Sequence, residues 1–218
     1  MLCREGGLSS EAEKLVERTR ELGIPVLVES DREMRRMSSG DSAAELIALE
    51  GPSPDATLEE LMLADGLVFI LAGLRYPGNV GFILRSAEVA GAAGIVLSTE
   101  WKGSEIAEAL RVGMRANRFF PVLESPAEIA VAAAQRAGRR VVALETVGDR
   151  ALWEADLVVP TAVIIGGETR GVEDALLSTV DDILRIPTRG FIPSYNVQAA
   201  VAMVLGEWLR QDAIRSRS

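Results

Sequence analysis

Apolar residues along the later part of the chain cluster in short unbroken runs rather than in strict alternation. Leu67–Leu71 (LVFIL), Gly94–Leu97 (GIVL), Val141–Leu144 and Ala162–Ile165 (AVII) are such runs. A strand covered by other elements on both faces needs apolar residues at every position. Between the runs the period lengthens to that of a helix, over Val80–Ala90, from Ser125-Pro126 (Ser125 as N-cap, Pro126 as first residue) to Gly138, and over Gly171–Ser178. Asp182–Ile186 is a further strand and Ser194–Arg210 a long helix. Strand–helix alternation with fully apolar strands predicts an α/β fold built on a parallel sheet.

The first third reads differently. Ser10 and Glu13 form a capping-box pattern, followed by an apolar stripe at Leu15, Val16, Thr19 and Leu22. Gly23 closes that helix and Pro25 prevents its resumption. Pro25–Val28 then predicts a short strand, Asp31–Met37 a short helix and Glu45–Leu49 another strand. The stretch Gly51-Pro52-Ser53-Pro54-Asp55 has linker composition. It predicts two domains, 1–54 and 55–218.

Charge sharpens that division. The net charge is −9, and residues 1–60 hold 7 basic and 14 acidic side chains against 16 and 18 in the remainder. The balance argues against tight non-specific nucleic-acid binding, while leaving room for a local basic patch. Lys14 and Lys102 are the lysines; the other 21 bases are arginine, whose planar fork suits bidentate phosphate contacts. There is no histidine and one cysteine, Cys3. Ser-His-Asp and Cys-His nucleophilic sites, His/Cys zinc sites and intramolecular disulfides are thereby excluded, and a carboxylate-only Mg²⁺ site is left open. The single thiol is compatible with the cytoplasm. No signal peptide and no apolar run of membrane-spanning length is visible, so the expectation is a cytoplasmic protein without a membrane partner.

Three loops follow strands at the end where parallel sheets bind ligands. The first runs Ala72-Gly73-Leu74-Arg75-Tyr76-Pro77-Gly78-Asn79-Val80-Gly81, with Arg85 in the helix beyond and Asn79 placed to cap it. The second, Gly166-Gly167-Glu168-Thr169-Arg170-Gly171, fails both the dinucleotide glycine spacing and the phosphate-loop pattern. The third runs from Ile186-Pro187-Thr188 to Ser194-Tyr195-Asn196-Val197, then Ala199-Ala200; Ser194 is placed to cap the last helix, with Asn196 in its first turn. Each loop alone reads equally well as a turn and a helix cap.

In this order, at the ends of three strands, they resemble the three motifs of the SpoU/TrmH family of RNA ribose 2′-O-methyltransferases, within the SPOUT superfamily. The first motif is N-x-G with a following arginine: Asn79, Gly81 and Arg85. The second is G-x-E-x-x-G: Gly166, Glu168 and Gly171. The third is I-P followed by S-x-N-V: Ile186-Pro187 and Ser194–Val197. The match runs from about residue 66 to the C-terminus.

The resemblance implies a C-terminal trefoil knot, S-adenosyl-L-methionine bound at it, a homodimer with the active site near the subunit interface, an rRNA or tRNA substrate and no metal. It makes residues 1–54 a small α/β RNA-binding domain that lacks its usual opening strand and helix. It makes Arg85 the central catalytic residue. An arginine is a poor base, so its expected role is to orient phosphate and the 2′-hydroxyl. Asn79 would fix Arg85 or the target ribose, Glu168 would orient Arg85 or the substrate, and Ser194 and Asn196 would complete the catalytic pocket. Leu144, Glu145, Gly166, Gly167, Glu168, Ile186, Thr188, Tyr195, Asn196 and Ala200 would hold the cofactor. The chain departs from the family pattern at Tyr76, at Gly113-Met114-Arg115 (where Ser-Met-Gly is common) and at Thr169. A catalytically silent RNA-binding or assembly protein on the same fold is the alternative. A nucleotide-dependent dehydrogenase is disfavoured by the failed glycine fingerprint.

Overall fold

The computed structural model describes residues 1–38 and 42–216. The chain divides into two compact units, Met1–Glu50 and Gly51–Ser218. The division lies four residues ahead of the boundary read from the linker composition.

In the first unit, β1 (Leu2–Arg4) is flanked by β2 (Leu27–Glu29) in parallel and β3 (Leu46–Ile47) in antiparallel pairing. Strand Leu2–Arg4 left no mark in the sequence pattern, because three residues are too few for a periodicity signal; pairing on both edges makes it central. Helices α1 (Ser10–Glu21) and α2 (Asp31–Met37) complete the unit. The N-cap of α1 is Ser9 rather than Ser10, accepting from the Ala12 backbone. Its hydroxyl also donates to Glu45 at 2.6 Å, a partner 36 residues away that no local motif reveals.

The second unit carries α3 (Leu58–Leu63), β4 (Val68–Ala72), α4 (Pro77–Ala90), β5 (Gly94–Ser98), α5 (Gly103–Val112), β6 (Val122–Glu124) and α6 (Ala127–Arg136). It continues with β7 (Arg140–Leu144), β8 (Arg150–Ala151), β9 (Thr161–Gly166), α7 (Asp174–Leu177), β10 (Asp182–Arg185) and α8 (Val197–Arg215). Seven strands form a sheet in the order β6-β5-β4-β9-β7-β10-β8, all parallel.

The central strands divide their apolar runs between two cores, because successive side chains point to opposite faces. Leu67, Phe69 and Leu71 join α4, α5 and α8 through Ile83, Leu84, Ala109, Val201 and Val204. Val68 and Ile70 join α3 and α6 through Leu61, Met62, Ala130 and Val131. Between these layers Arg139 is buried. Its guanidinium donates to the carbonyls of Met62 (2.6 Å), Gly66 (2.8 Å), Thr161 (3.3 Å) and Ala64, tying the end of α3 to the start of β9. Burial lowers its pKa and Asp65 opposes that shift.

Helix starts differ from expectation by a few residues. Helix α4 opens at Pro77 with Tyr76 as N-cap, so Asn79 lies inside the first turn rather than capping it. The N-cap of α8 is Asn196, whose side chain accepts from Gln198 N; Ser194 lies two residues upstream. In α6 the first residue after Pro126 donates to Ser98 across the sheet at 3.0 Å, which displaces Ser125 from the cap. Helix α5 and strand β6 carried no distinct sequence signal.

Candidate active site

Because the sheet is parallel, every strand delivers its following loop to the same edge. Four neighbouring strands, β4, β9, β7 and β10, end nearly level: Ala72 lies opposite Gly166, Ile165 opposite Leu144, and Leu144 opposite Leu184. Their loops line a cleft of about 1040 Å³, at the upper limit of small-molecule sites.

The second loop turns back on itself at the cleft. Gly171 N donates to Gly167 O at 2.9 Å, and a β-carbon on Gly166 would stand 2.1 Å from Gly171 C and 2.3 Å from Val172 N. A β-carbon on Gly167 would stand 2.3 Å from Gly73 O. Glycine is required at both positions because backbone meets backbone there. Gly171 adopts φ +65°, and a side chain there would meet the Glu145 carboxylate. Glu145 in turn accepts from Val172 N at 2.6 Å and donates its own N–H to Leu184 O at 2.9 Å. One residue therefore links the loops after β7 and β9 to strand β10.

Glu168 joins the second loop to the first. Its carboxylate accepts from Arg75 N at 3.0 Å and from the Asn79 side chain at 2.8 Å. Partial burial pushes its carboxyl up. The hydrogen bonds from Arg75 N, Asn79, its own backbone and Tyr76 outweigh that, and the pKa falls below the ordinary 4.5. At neutral pH Glu168 is thus ionised and weakly basic, suited to hold Asn79 and unsuited to accept a proton in the reaction.

A depressed carboxyl contributes stability above its unfolded pKa and loses it as pH falls through the folded value. The melting-temperature gap between wild type and Glu168→Gln is expected to be constant at pH above 4.5 and to close below it. A pH-independent gap, or none at neutral pH, would overturn that assignment.

Asn79, Leu144, Glu145, Gly166, Gly167, Glu168, Ile186, Thr188, Ser194, Tyr195, Asn196 and Ala200 all line the cleft. Arg85 does not. It is exposed on α4, one turn beyond the cleft-lining Phe82, and among the described residues it has no hydrogen-bond or ion-pair partner. Asn196 spends its side-chain oxygen on Gln198 N at 3.0 Å, which leaves its amide group to face a ligand. Tyr195 donates to Pro187 O at 3.4 Å, closing the third loop on itself.

Sequence reasoning missed Phe82, Glu108 and Thr146 in the wall. Phe82 could have been found, standing three residues after Asn79 on the same helix face. Glu108 could not, since it arrives on α5.

Comparison with known proteins places these features in context. The sequence model of the SpoU rRNA Methylase family matches residues 66–206. A 23S rRNA (guanosine-2′-O-)-methyltransferase, RlmB, of Photobacterium profundum is 26% identical over 206 residues, covering 92% of this chain and 84% of its own. A tRNA/rRNA methyltransferase of Mycolicibacterium gilvum, itself uncharacterized, is 30% identical over 197 residues; the chain spans 62% of that protein's length. Among solved structures, an RNA 2′-O ribose methyltransferase superposes with a TM-score of 0.63 at 26% identity, covering 97% of this chain and 80% of the other.

Proposed function

The chain belongs to the SpoU rRNA methylase family, and on that premise we propose that it transfers a methyl group from S-adenosyl-L-methionine to a ribose 2′-hydroxyl in structured rRNA or tRNA. The observation that carries this reading is the meeting of all three motif loops around one cleft, with Glu168 bonded to Asn79 across it.

The cleft fits the methyl donor. Leu144, Ile165, Ile186 and Val197 supply apolar walls for an adenine ring and the methylene groups beside the sulfonium. Gly166 and Gly167 let the backbone approach closely, and the Glu145 carboxylate can accept from sugar hydroxyls. When bound, the sulfonium supplies an already activated methyl group, so the protein's task is mainly positioning. Asn79 is held by Glu168 to orient the ribose, and the amide of Asn196 and the Ser194 hydroxyl complete that pocket. Arg85 binds the RNA phosphate beside the target and thereby orients the 2′-hydroxyl, whose proton is released to solvent water. This division of labour suits a chain without histidine, and the reading assigns no role to a metal.

The same reading includes a C-terminal knot. Its support is that β10 lies between β7 and β8, strands joined directly through residues 145–149. That connection crosses β10 closely: a β-carbon on Gly148 would stand 2.6 Å from Ile183 O, and Arg185 donates to the carbonyls of Gly148 and Asp149 at 2.7 Å. It also includes a homodimer, supported by an exposed stripe of small and apolar residues along α8: Ala202, Met203, Gly206, Leu209 and Ala213. The unit Met1–Glu50 is assigned to RNA contact, because the RlmB match extends into it. A cytoplasmic location follows from an RNA substrate; among the described residues no helix is long and apolar enough to cross a membrane.

Incubation with methyl-labelled S-adenosylmethionine and RNA from a gene-deletion strain tests the reading. Label is expected at one ribose 2′-oxygen in rRNA or tRNA, from protein running at about twice its 23.4 kDa chain mass in light scattering. Absence of transfer to any RNA, with no calorimetric heat from the cofactor, would refute it.

A further inference from the structure

Two adjacent non-glycine residues, Met114 (φ 57°) and Arg115 (φ 58°), stand in the left-handed backbone region just after α5. Each such residue costs on the order of 1–2 kcal/mol, which glycine would avoid. Both side chains are exposed. Among the described residues Arg115 has no side-chain hydrogen bond or ion pair, and neither does Arg111 four residues before it. Among the described residues no hydrogen bond or ion pair of the Arg115 side chain thus offsets the strain.

Position and charge indicate what could. The turn is pinned by Arg115 N donating to Leu110 O at 2.7 Å and Ala116 N to Gly113 O at 3.1 Å. It is pressed onto α4, where a β-carbon on Gly113 would stand 3.1 Å from Gly81 O and from Leu84 Cβ. Leu84 directly precedes Arg85, and α4 and α5 supply Phe82 and Glu108 to the cleft wall. Residues 109–123 contain three arginines and no acid, in a chain of net charge −9. Arg111, in the last turn of α5, also complements the helix dipole; Arg115 lies beyond the helix and has no such role.

We propose that Arg115, with Arg111 beside it, binds a backbone phosphate of the RNA strand as it passes the cleft along α4. This rests on the RNA reading above and names the residues that steer the strand. The left-handed turn fixes the backbone from which the Arg115 side chain projects, so its position along α4 is set before RNA binds.

Arg115→Gly separates this from a structural role, because it removes the guanidinium and relieves the strain together. Filter binding of ribosomal RNA from the deletion strain, across a salt series, is the measurement. Affinity is expected to fall about tenfold, the value for one charged hydrogen bond, and the log–log salt slope to fall by about one. The melting temperature should hold or rise, cofactor affinity should stay unchanged, and Arg115→Lys should restore the salt slope. Wild-type RNA affinity and slope in Arg115→Gly would overturn the proposal, as would a wild-type chain that binds no RNA. Methyl transfer by the wild type, run in parallel, reports separately on the parent reading. Its absence together with an Arg115-dependent slope would refute the methyltransferase and support the phosphate contact.

Discussion

Gly166→Ala is expected to abolish measurable cofactor binding and to lower the melting temperature by several degrees. The added β-carbon would fall 2.1 Å from Gly171 C, 2.3 Å from Val172 N and 2.6 Å from Gly171 O. All three are backbone atoms, so no rotamer change relieves the clash. The turn over 166–172 must open, breaking Gly171 N to Gly167 O and Val172 N to the Glu145 carboxylate. Overpacking of this kind costs about 1–3 kcal/mol, and each lost hydrogen bond adds about 1 kcal/mol. A total near 3 kcal/mol corresponds to roughly 6–12 °C in a chain of this size. Gly103→Ala is the control, since a β-carbon there meets nothing within 4 Å and its backbone is unstrained. Calorimetry with S-adenosylhomocysteine and thermal melts check both variants; near-normal binding by Gly166→Ala would mean the cofactor lies elsewhere.

Arg85→Ala is expected to lower single-turnover methyl transfer by at least about a hundredfold, on the order of 3 kcal/mol of barrier. The melting temperature and cofactor affinity should change little. Arg85 is exposed, lies outside the cleft wall and has no partner among the described residues, so nothing in the fold depends on it. That separation marks Arg85 as a residue for the RNA, since a group serving the cofactor would line the cleft with Asn79 and Glu168. Arg85→Lys should rescue poorly, because an ammonium cannot reproduce the planar fork. Wild-type rates in Arg85→Ala would move the catalytic centre off α4.

The apolar strands were legible in the sequence because a buried parallel strand leaves a signal in every consecutive residue. Val68–Ala72 and Thr161–Gly166 lie within a residue of the runs at Leu67–Leu71 and Ala162–Ile165. Helix caps were less legible, because several residues near a helix start can serve and tertiary contacts choose among them. Ser9 displaced Ser10 by also reaching Glu45, and Ser98 took the Ala127 N–H that Ser125 was expected to receive.

What the sequence alone determined, then, was the fold class and the close-approach glycines; the other cleft-lining residues were identified through the resemblance of the three loops to the family's motifs. Buried strands and close-approach glycines are local demands, each written where it acts. The tertiary structure decided which residues meet. Glu168 and Asn79 are 89 positions apart, and Glu145 reaches Val172 across 27. Only the register of four parallel strands brings those loop ends level. It also decided that Arg85 stands one turn outside the cleft and that the Arg115 turn lies against α4, because α5, which left no distinct signal in the sequence, is placed only by its packing on α4.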